Sequence, residues 1–285
     1  MVTVKGEPKA VLDSKTTAPR DSELYHHAFY EAPSIRKIGD LYYLVYSSGE
    51  NNELAYATSL YPDRDFRYRG VIISNSDLGY KGNTIPKAPA GTIHGGIECV
   101  NGQWYVFYHR CTNNTDFSRQ ACAEPITILP DGSIPQVEIT TQGISGKPIS
   151  AKGSIPAAYA CHLTTGKTIK LGIGKQQALP RIDESEGEVY GADLANNTQL
   201  GYKYFDFRNV RRISVTYRGA GEGILEVRTQ ENGNSIGKIP IQPSLQWTQA
   251  SGTVNLNGVH ALYLRFRGKG RIDLKTVTFS EEDTL

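Results

Sequence analysis

Asp40-Leu41-Tyr42-Tyr43-Leu44-Val45-Tyr46 and Gly102-Gln103-Trp104-Tyr105-Val106-Phe107-Tyr108 are two copies of one pattern, 62 residues apart. Each copy follows a short strand-like run and a turn that contains glycine. Further strand-like runs lie at 34–38, 53–58, 66–73 and 96–100. Short strands that recur at this spacing predict four-stranded blades of a β-propeller.

The second half of the chain has a different texture. Residues 140–170 indicate an irregular connection, and no segment predicts a good helix. Alternating strand patterns then follow at 202–207, 212–217, 223–228, 252–256 and 260–266. Their close spacing predicts a β-sandwich. We therefore expect an all-β protein with blades in residues 1–150, and a linker with the sandwich in residues 151–285.

Composition narrows the function classes. Formal net charge is +2 over 285 residues, so no strong field favours nucleic acid or an anionic membrane as a partner. No apolar run approaches the roughly 20 residues of a membrane span. The first residues lack the apolar core of a signal peptide, which leaves secretion or a cytoplasmic location open. Four cysteines include no CxxC pair, which argues against zinc.

Glu31 is the most informative candidate for catalysis. It follows His27-Ala28-Phe29-Tyr30 and precedes a strand, so aromatic neighbours are expected to shield it partly from water. Desolvation disfavours a charged carboxylate and raises its pKa, which suits a proton donor near neutral pH. The alternative is a glutamate at the start of a strand that is bonded to backbone amides. The residues alone favour that alternative.

A family resemblance reverses this preference. Residues 6–150 resemble glycoside hydrolase family 43, in its arabinofuranosidase and β-xylosidase branch. The similarity rests on the Glu31 segment, on Ile93-His94-Gly95-Gly96-Ile97, and on the stretches 104–110 and 117–125. It implies a five-bladed propeller, of which this chain holds two to three blades. It also implies a substrate among arabinose- or xylose-containing plant cell-wall polysaccharides or their oligosaccharides.

Residues 190–281 resemble carbohydrate-binding module family 6, which is a jelly roll. This second similarity rests on the stretches 201–207, 225–228 and 262–268. Such modules hold a sugar between two aromatic rings. Trp247 and Tyr202 are candidates for that pair, although core positions are the simpler interpretation of both. The module is either a sugar binder or a structural brace.

The family 43 resemblance assigns roles to five residues. Glu31 would be the general acid, while Arg119, Tyr30 and His109 would contact the sugar. His94 would lie on the propeller axis and help to hold a hydrated calcium ion, with no cofactor required for the chemistry itself. Without the resemblance, His94 would be an ordinary loop residue and Arg119 a solvated one.

The inverting mechanism of this family needs a second carboxylate that activates water. In family order, that base and a further tuning aspartate precede the segment that matches Glu31. Only 30 residues precede it here, and Asp13 and Asp21 lie in no matching motif. We therefore expect a C-terminal portion that lacks the base and is weakly active or inactive alone.

Two other functions remain open. The chain is either a non-catalytic carbohydrate-binding protein or a subunit that completes a split propeller. Missing blades would expose apolar faces and strand edges. A separate N-terminal half, self-association or the chain's own N-terminal segment would have to cover them.

Overall fold

The computed structural model describes residues 6–50, 52–89, 91–165 and 180–281. Strands dominate it, as predicted, and the all-β class is confirmed. One short helix, α1 (Glu23–His26), begins after Ser22, whose hydroxyl accepts a bond from the Tyr25 amide. None of the described helices has the length and apolar character to span a bilayer.

Two separate sheets form propeller blades. Blade 1 is a four-stranded meander: β1 (Phe29–Ile38), β2 (Leu41–Ser48), β3 (Glu53–Ser59) and β4 (Arg67–Ser74). Blade 2 has three strands: β5 (Gly96–Val100), β6 (Gln103–Cys111) and β7 (Arg119–Pro125). The two blades do not close a ring, so the described chain forms the partial propeller that was predicted.

The remaining strands form one ten-stranded network that folds into the predicted sandwich. They are β8 (Ile149–Ser150), β9 (Gly153–Pro156), β10 (His162–Thr164), β11 (Arg181–Ser185), β12 (Glu188–Leu194), β13 (Gln199–Gly219), β14 (Glu222–Arg228), β15 (Gly237–Ile241), β16 (Ser244–Lys269) and β17 (Ile272–Ser280). Its main order is β11-β12-β17-β13-β16-β14-β15, with β8 and β10 on β13 and β9 on β17. Short 3₁₀ turns lie at Tyr80–Gly82, Gly143–Ser145 and Ala157–Tyr159. The proposed division at residue 150 stays a prediction.

The 62-residue repeat is a structural repeat. Lys37 pairs with Tyr42 in blade 1, and Cys99 pairs with Trp104 in blade 2, at equivalent positions. The first strands of the two blades also touch, because Arg36 on β1 donates to Glu98 on β5 at 3.0 Å. The repeat therefore places β1 and β5 side by side, with their N-terminal ends available for one site.

Each blade has two apolar faces, set by strand alternation. The front face of a blade is defined here by Tyr42, Leu44 and Tyr46 in blade 1 and by the equivalent Trp104, Val106 and Tyr108 in blade 2. We call back face the positions Tyr43 and Val45 with their equivalents Tyr105 and Phe107. The back face of blade 1 shares one buried cluster with the front face of blade 2. Adjacent blades thus pack front to back, as in a propeller.

The front face of blade 1 is covered by the chain's own N-terminal segment. Val11 and Leu12 pack against the cluster that contains Leu44 and Tyr46. A bridge from Ser14 to β1 fixes this segment. Of the covers expected from the sequence, the structure shows the N-terminal segment on this face.

The back face of blade 2 is partly covered by the segment that follows β7: Tyr105 is buried, and its hydroxyl donates to the Ile144 carbonyl at 2.8 Å. A cavity of about 570 Å³ lies beside it, lined by Phe107, Ala121 and Ala123 on one side and by residues 139–145 and 158–161 on the other. Ile144 at its margin is 63% exposed. This face is therefore only partly packed, because a cavity remains between it and residues 139–145 and 158–161.

Gly95 allows blade 2 to approach the loop that carries His94. A Cβ at this position would lie 2.0 Å from the Phe107 carbonyl oxygen and 2.9 Å from Leu54 Cδ1. We expect Gly95→Ala to lower the free energy of unfolding by about 3 kcal/mol, since backbone must move to relieve the overlap. Urea denaturation followed by far-UV circular dichroism measures the change.

Gly49→Ala is the matched control. A Cβ there would meet nothing within 4 Å. Its effect should stay within about 0.5 kcal/mol. Equal losses in both variants would contradict the close-approach explanation.

Candidate active site

Glu31 lies where β1 departs from regular pairing. Its strand partner is Ser47, and the register shifts on both sides of this pair. Ala32 adopts a left-handed backbone with φ of 56°, which is uncommon for a residue other than glycine. Such bulges redirect side chains and are frequent beside active sites. The local irregularity thus sets the direction of the Glu31 carboxylate.

The carboxylate of Glu31 meets the imidazole of His94. Glu31 Oε1 and His94 Nε2 are 2.8 Å apart, and the two side chains are 42% and 31% exposed. His94 lies just before β5, beside the strand that carries Glu31. The structure therefore brings together two of the predicted site residues, at a position that a ligand can reach.

The aromatic shielding that was expected around Glu31 is not what the structure shows. Tyr30 is 62% exposed, and Phe29 packs against the Leu44–Tyr46 cluster instead. Side chains of successive strand residues point to opposite faces, and bulges disturb this alternation further. His94, rather than an aromatic ring, is the close neighbour of the carboxylate.

His109 joins the pair from β6. Its ring stands edge-on to His94, with the centroids 5.1 Å apart. Burial, followed by the charges of Arg119 and His94, lowers the pKa of His109 to about 4. Both of its buried ring nitrogens lack a hydrogen-bond partner among the described residues. A neutral imidazole can both donate and accept a hydrogen bond, but these two nitrogens are shielded from solvent in this structure.

Arg119 begins β7, opposite Cys111 at the end of β6. It is close enough to His109 for its charge to lower that pKa. Four predicted residues, Glu31, His94, His109 and Arg119, thus share one neighbourhood, whereas Tyr30 lies exposed beside it. The 570 Å³ cavity is separate, since none of these five residues lines it.

The two aromatic candidates for sugar binding in the sandwich, Tyr202 and Trp247, lie in different environments. Tyr202 is fully buried and donates to the Ala157 carbonyl, so it is a core residue. Trp247 contacts Tyr190 edge-on, and the Arg218 guanidinium lies 4.5 Å from its ring centre. Tyr202 and Trp247 therefore do not form a sugar-clasping pair.

Metal ligation by the described residues alone is not supported. No three His, Cys, Asp or Glu side chains converge within the described ranges. Calcium prefers six to eight oxygen ligands, and His94 already directs Nε2 at Glu31. The predicted calcium ion near His94 stays a prediction that needs oxygen ligands from elsewhere.

A second acid–base pair lies among residues that the sequence analysis did not single out. His27 Nδ1 lies 2.5 Å from Glu53, whose side chain is 2% exposed. The Ser48 hydroxyl also donates to Glu53, and the His27 ring stacks on Tyr68. His27 precedes β1 and Glu53 begins β3, so only the folded blade makes them neighbours. The pair ties the N-terminal segment to blade 1.

This pair predicts a pH dependence of stability. The hydrogen bond that the protonated His27 ring donates to the Glu53 carboxylate, reinforced by the charge of Glu53, raises the pKa of His27 above 6.5. A raised histidine pKa contributes stability that is complete below pH 6.5 and is lost as pH rises through the folded-state value. His27→Gln should therefore cost more at pH 5.5 than at pH 8.5, by about 1 kcal/mol. Urea unfolding at both pH values measures it, and a pH-independent cost would contradict the assignment.

Comparisons with known proteins agree with this description. No protein-family model matches the sequence. A xylosidase/arabinosidase of Thermoclostridium stercorarium is 43% identical over 98% of the chain, and the match covers 61% of that protein. A xylosidase/arabinosidase of Bacteroides ovatus is 33% identical over 39% of the chain and 31% of its own length. The chain thus spans about three fifths of the Thermoclostridium relative.

Two solved structures resemble different extents of the chain. A family 43 arabinoxylan arabinofuranohydrolase from Bacillus subtilis, in complex with cellotetraose, covers 89% of this chain and 54% of its own, at 19% identity and a TM-score of 0.47. A family 6 carbohydrate-binding module from Clostridium cellulolyticum, in complex with xylose, covers 46% of this chain and 99% of its own, at 25% identity and a TM-score of 0.39. The 43% identity over nearly the whole chain is what relates this protein to xylosidase/arabinosidases. It agrees with the family resemblance seen in the sequence.

Proposed function

We propose that this chain, which corresponds to a C-terminal portion of a family 43 glycoside hydrolase with a family 6-like carbohydrate-binding module, supplies the general-acid side of an inverting glycosidase site. The observation that carries the proposal is the 2.8 Å contact between Glu31, on the first strand of blade 1, and His94, just before the first strand of blade 2. The substrate class is arabinose- or xylose-containing polysaccharide. The names of the relatives support that class.

The geometry supports a division of roles. Glu31, as the acid, protonates the departing glycosidic oxygen, and the bond to His94 holds its carboxyl group in place. His109 is neutral near pH 7, and its ring nitrogens, which are buried and unpaired here, would contact sugar hydroxyls once the bound substrate reaches them. Arg119 donates to further hydroxyls, and Tyr30 contributes an exposed ring. A calcium ion bound near His94 through water would add positive charge under the sugar.

The base is proposed to come from residues outside this sequence. An inverting site needs a second carboxylate about 6.5–9.5 Å from the acid, with room for water between them. A further blade is the natural carrier, because two blades do not close a ring and the back face of blade 2 is only partly packed beside the 570 Å³ cavity. By the packing of blade 2 on blade 1, that blade would present a front face of aromatic and aliphatic residues. Its source is either the same polypeptide or a companion chain.

Reconstitution tests this function. The part of the Thermoclostridium relative that this chain does not match would be produced separately and mixed with the chain. Release of 4-nitrophenol from the arabinofuranoside and the xyloside, with NMR detection of the first anomer formed, measures activity and stereochemistry. Inverting turnover only in the mixture, lost with Glu31→Gln, supports the proposal. Oligosaccharide binding without hydrolysis would instead favour a non-catalytic carbohydrate-binding protein.

A further inference from the structure

The loop between β6 and β7, residues 112–118, is ordered by its own hydrogen bonds. The Thr112 amide donates to the Ser118 carbonyl at 2.9 Å, and the two hydroxyl groups are 2.8 Å apart. Asn113 Nδ2 also donates to the Ser118 hydroxyl at 2.9 Å. These bonds close the base of the loop directly before Arg119. The loop therefore has a defined conformation beside the candidate site.

The sandwich holds this loop from outside. The Asn113 amide donates to the Ile182 carbonyl at 2.8 Å, and Asn113 Oδ1 accepts from the Glu184 amide at 2.6 Å. Both partners belong to β11, the edge strand of the sandwich. Asn113 and Asn114 have φ values of 54° and 52°, a left-handed conformation that asparagine tolerates better than most residues. A residue of blade 2 is thus pinned by the sandwich.

The loop displays Phe117 to solvent. Its ring is 95% exposed, more than any other large apolar residue described. Two residues later the chain reaches Arg119, which lies close to His109. Isolated exposed apolar residues are ordinary on protein surfaces. An exposed aromatic ring on a doubly anchored loop, two residues before a residue of the candidate site, is suited to stack on the C–H face of a sugar.

We propose that Phe117 is a sugar-stacking residue for a unit of the polysaccharide next to the cleaved sugar, and that the sandwich presents it through Asn113. This inference rests on the proposed function, since it extends the same site along the substrate. It also gives the sandwich a role in shaping the site, apart from any sugar binding of its own. Asn113 is a positioning residue in this scheme.

Binding by the full chain tests the inference. The probe is an arabinose-substituted xylo-oligosaccharide, and calorimetry gives its Kd. Phe117→Ala should weaken binding about 3- to 10-fold, as expected for the loss of one aromatic contact. Phe117→Trp should keep the affinity. Its new fluorescence should also respond to the ligand, after subtraction of the wild-type signal of Trp104 and Trp247.

Two controls separate this role from general stability. Leu245→Ala removes another highly exposed apolar side chain, 86% exposed on the sandwich, and should leave Kd unchanged. Asn113→Ala should weaken binding like Phe117→Ala, whereas Asn113→Asp keeps the acceptor for Glu184 and should restore it. An unchanged Kd in Phe117→Ala, or no binding by the wild type, would overturn the inference. Hydrolysis by the reconstituted mixture judges the proposed function separately.

Discussion

Glu31→Gln should lower the turnover of the reconstituted enzyme by about 10²- to 10⁴-fold, the usual contribution of a positioned general acid or base. The loss should depend on the leaving group. A dinitrophenyl glycoside departs without much protonation, whereas a sugar hydroxyl must be protonated as it leaves. We therefore expect a small loss with the activated glycoside and the full loss with arabinoxylan. Parallel rate measurements on both substrates check this.

Glu98→Gln is the matched control for that experiment. Glu98 lies on the neighbouring first strand and pairs with Arg36, with 51% of its side chain exposed. Its replacement should leave both rates within about twofold, because exposed pairs contribute little energy. Equal losses on both substrates in Glu31→Gln would point to misfolding rather than to acid catalysis. Robust turnover by the unmixed chain, abolished in Glu31→Gln, would show that these 285 residues contain a base.

The fold was accessible from the sequence because its signals are local and repeated. Tyr42 and Trp104 occupy equivalent positions in the repeat and make it visible in the sequence. Strand alternation then decides which residues face the adjacent blade. The same repeat brings Glu31 and His94 together, since they precede equivalent parts of neighbouring blades. Sequence spacing thus predicted the blades, whereas the family resemblance supplied the candidate pair Glu31 and His94, whose atoms are in contact.

The features that the sequence did not predict depend on contacts between distant segments of the chain. Asn113 meets β11 about 70 positions later in the chain, and His27 meets Glu53 only after blade 1 has formed. No pattern in either segment specifies its partner. The expected shielding of Glu31 by Tyr30 failed because adjacency in sequence does not place two strand residues on one face. The consecutive asparagines 113 and 114 did offer a turn signal.

The second large effect that we expect is a loss of stability at high pH caused by the buried Glu124 carboxyl. Glu124 lies on β7 with 2% of its surface exposed, beside the cluster of Tyr108 and Cys122. Its carboxyl oxygens accept from the Thr140 amide and the Thr140 hydroxyl, both at 2.6 Å. Burial raises the pKa of Glu124 from 4.5 to about 7, against the lowering effect of these bonds. The folded protein therefore favours the protonated carboxyl.

The sign of the pH effect follows from this raised pKa. The contribution of Glu124 to stability is complete below pH 4.5, falls between pH 4.5 and 7, and is absent above. One pKa unit corresponds to about 1.4 kcal/mol, so the loss is on the order of 3 kcal/mol. Glu124→Gln mimics the protonated side chain, since its amide can donate where the carboxyl proton would. We expect this variant to be more stable than the wild type at pH 8 and equal to it at pH 4.5.

Urea unfolding of both proteins between pH 4.5 and 8 measures this difference. Subtracting the two curves removes the titrations of His27, His109 and His162, which both proteins share. Glu138→Gln is the control, because Glu138 pairs with Lys203 and its neutralisation should destabilise the protein at pH 8 instead. A difference between wild type and Glu124→Gln that does not grow with pH would mean that Glu124 stays ionised in the fold. The junction between blade 2 and the Thr140 segment would then tolerate a buried charge.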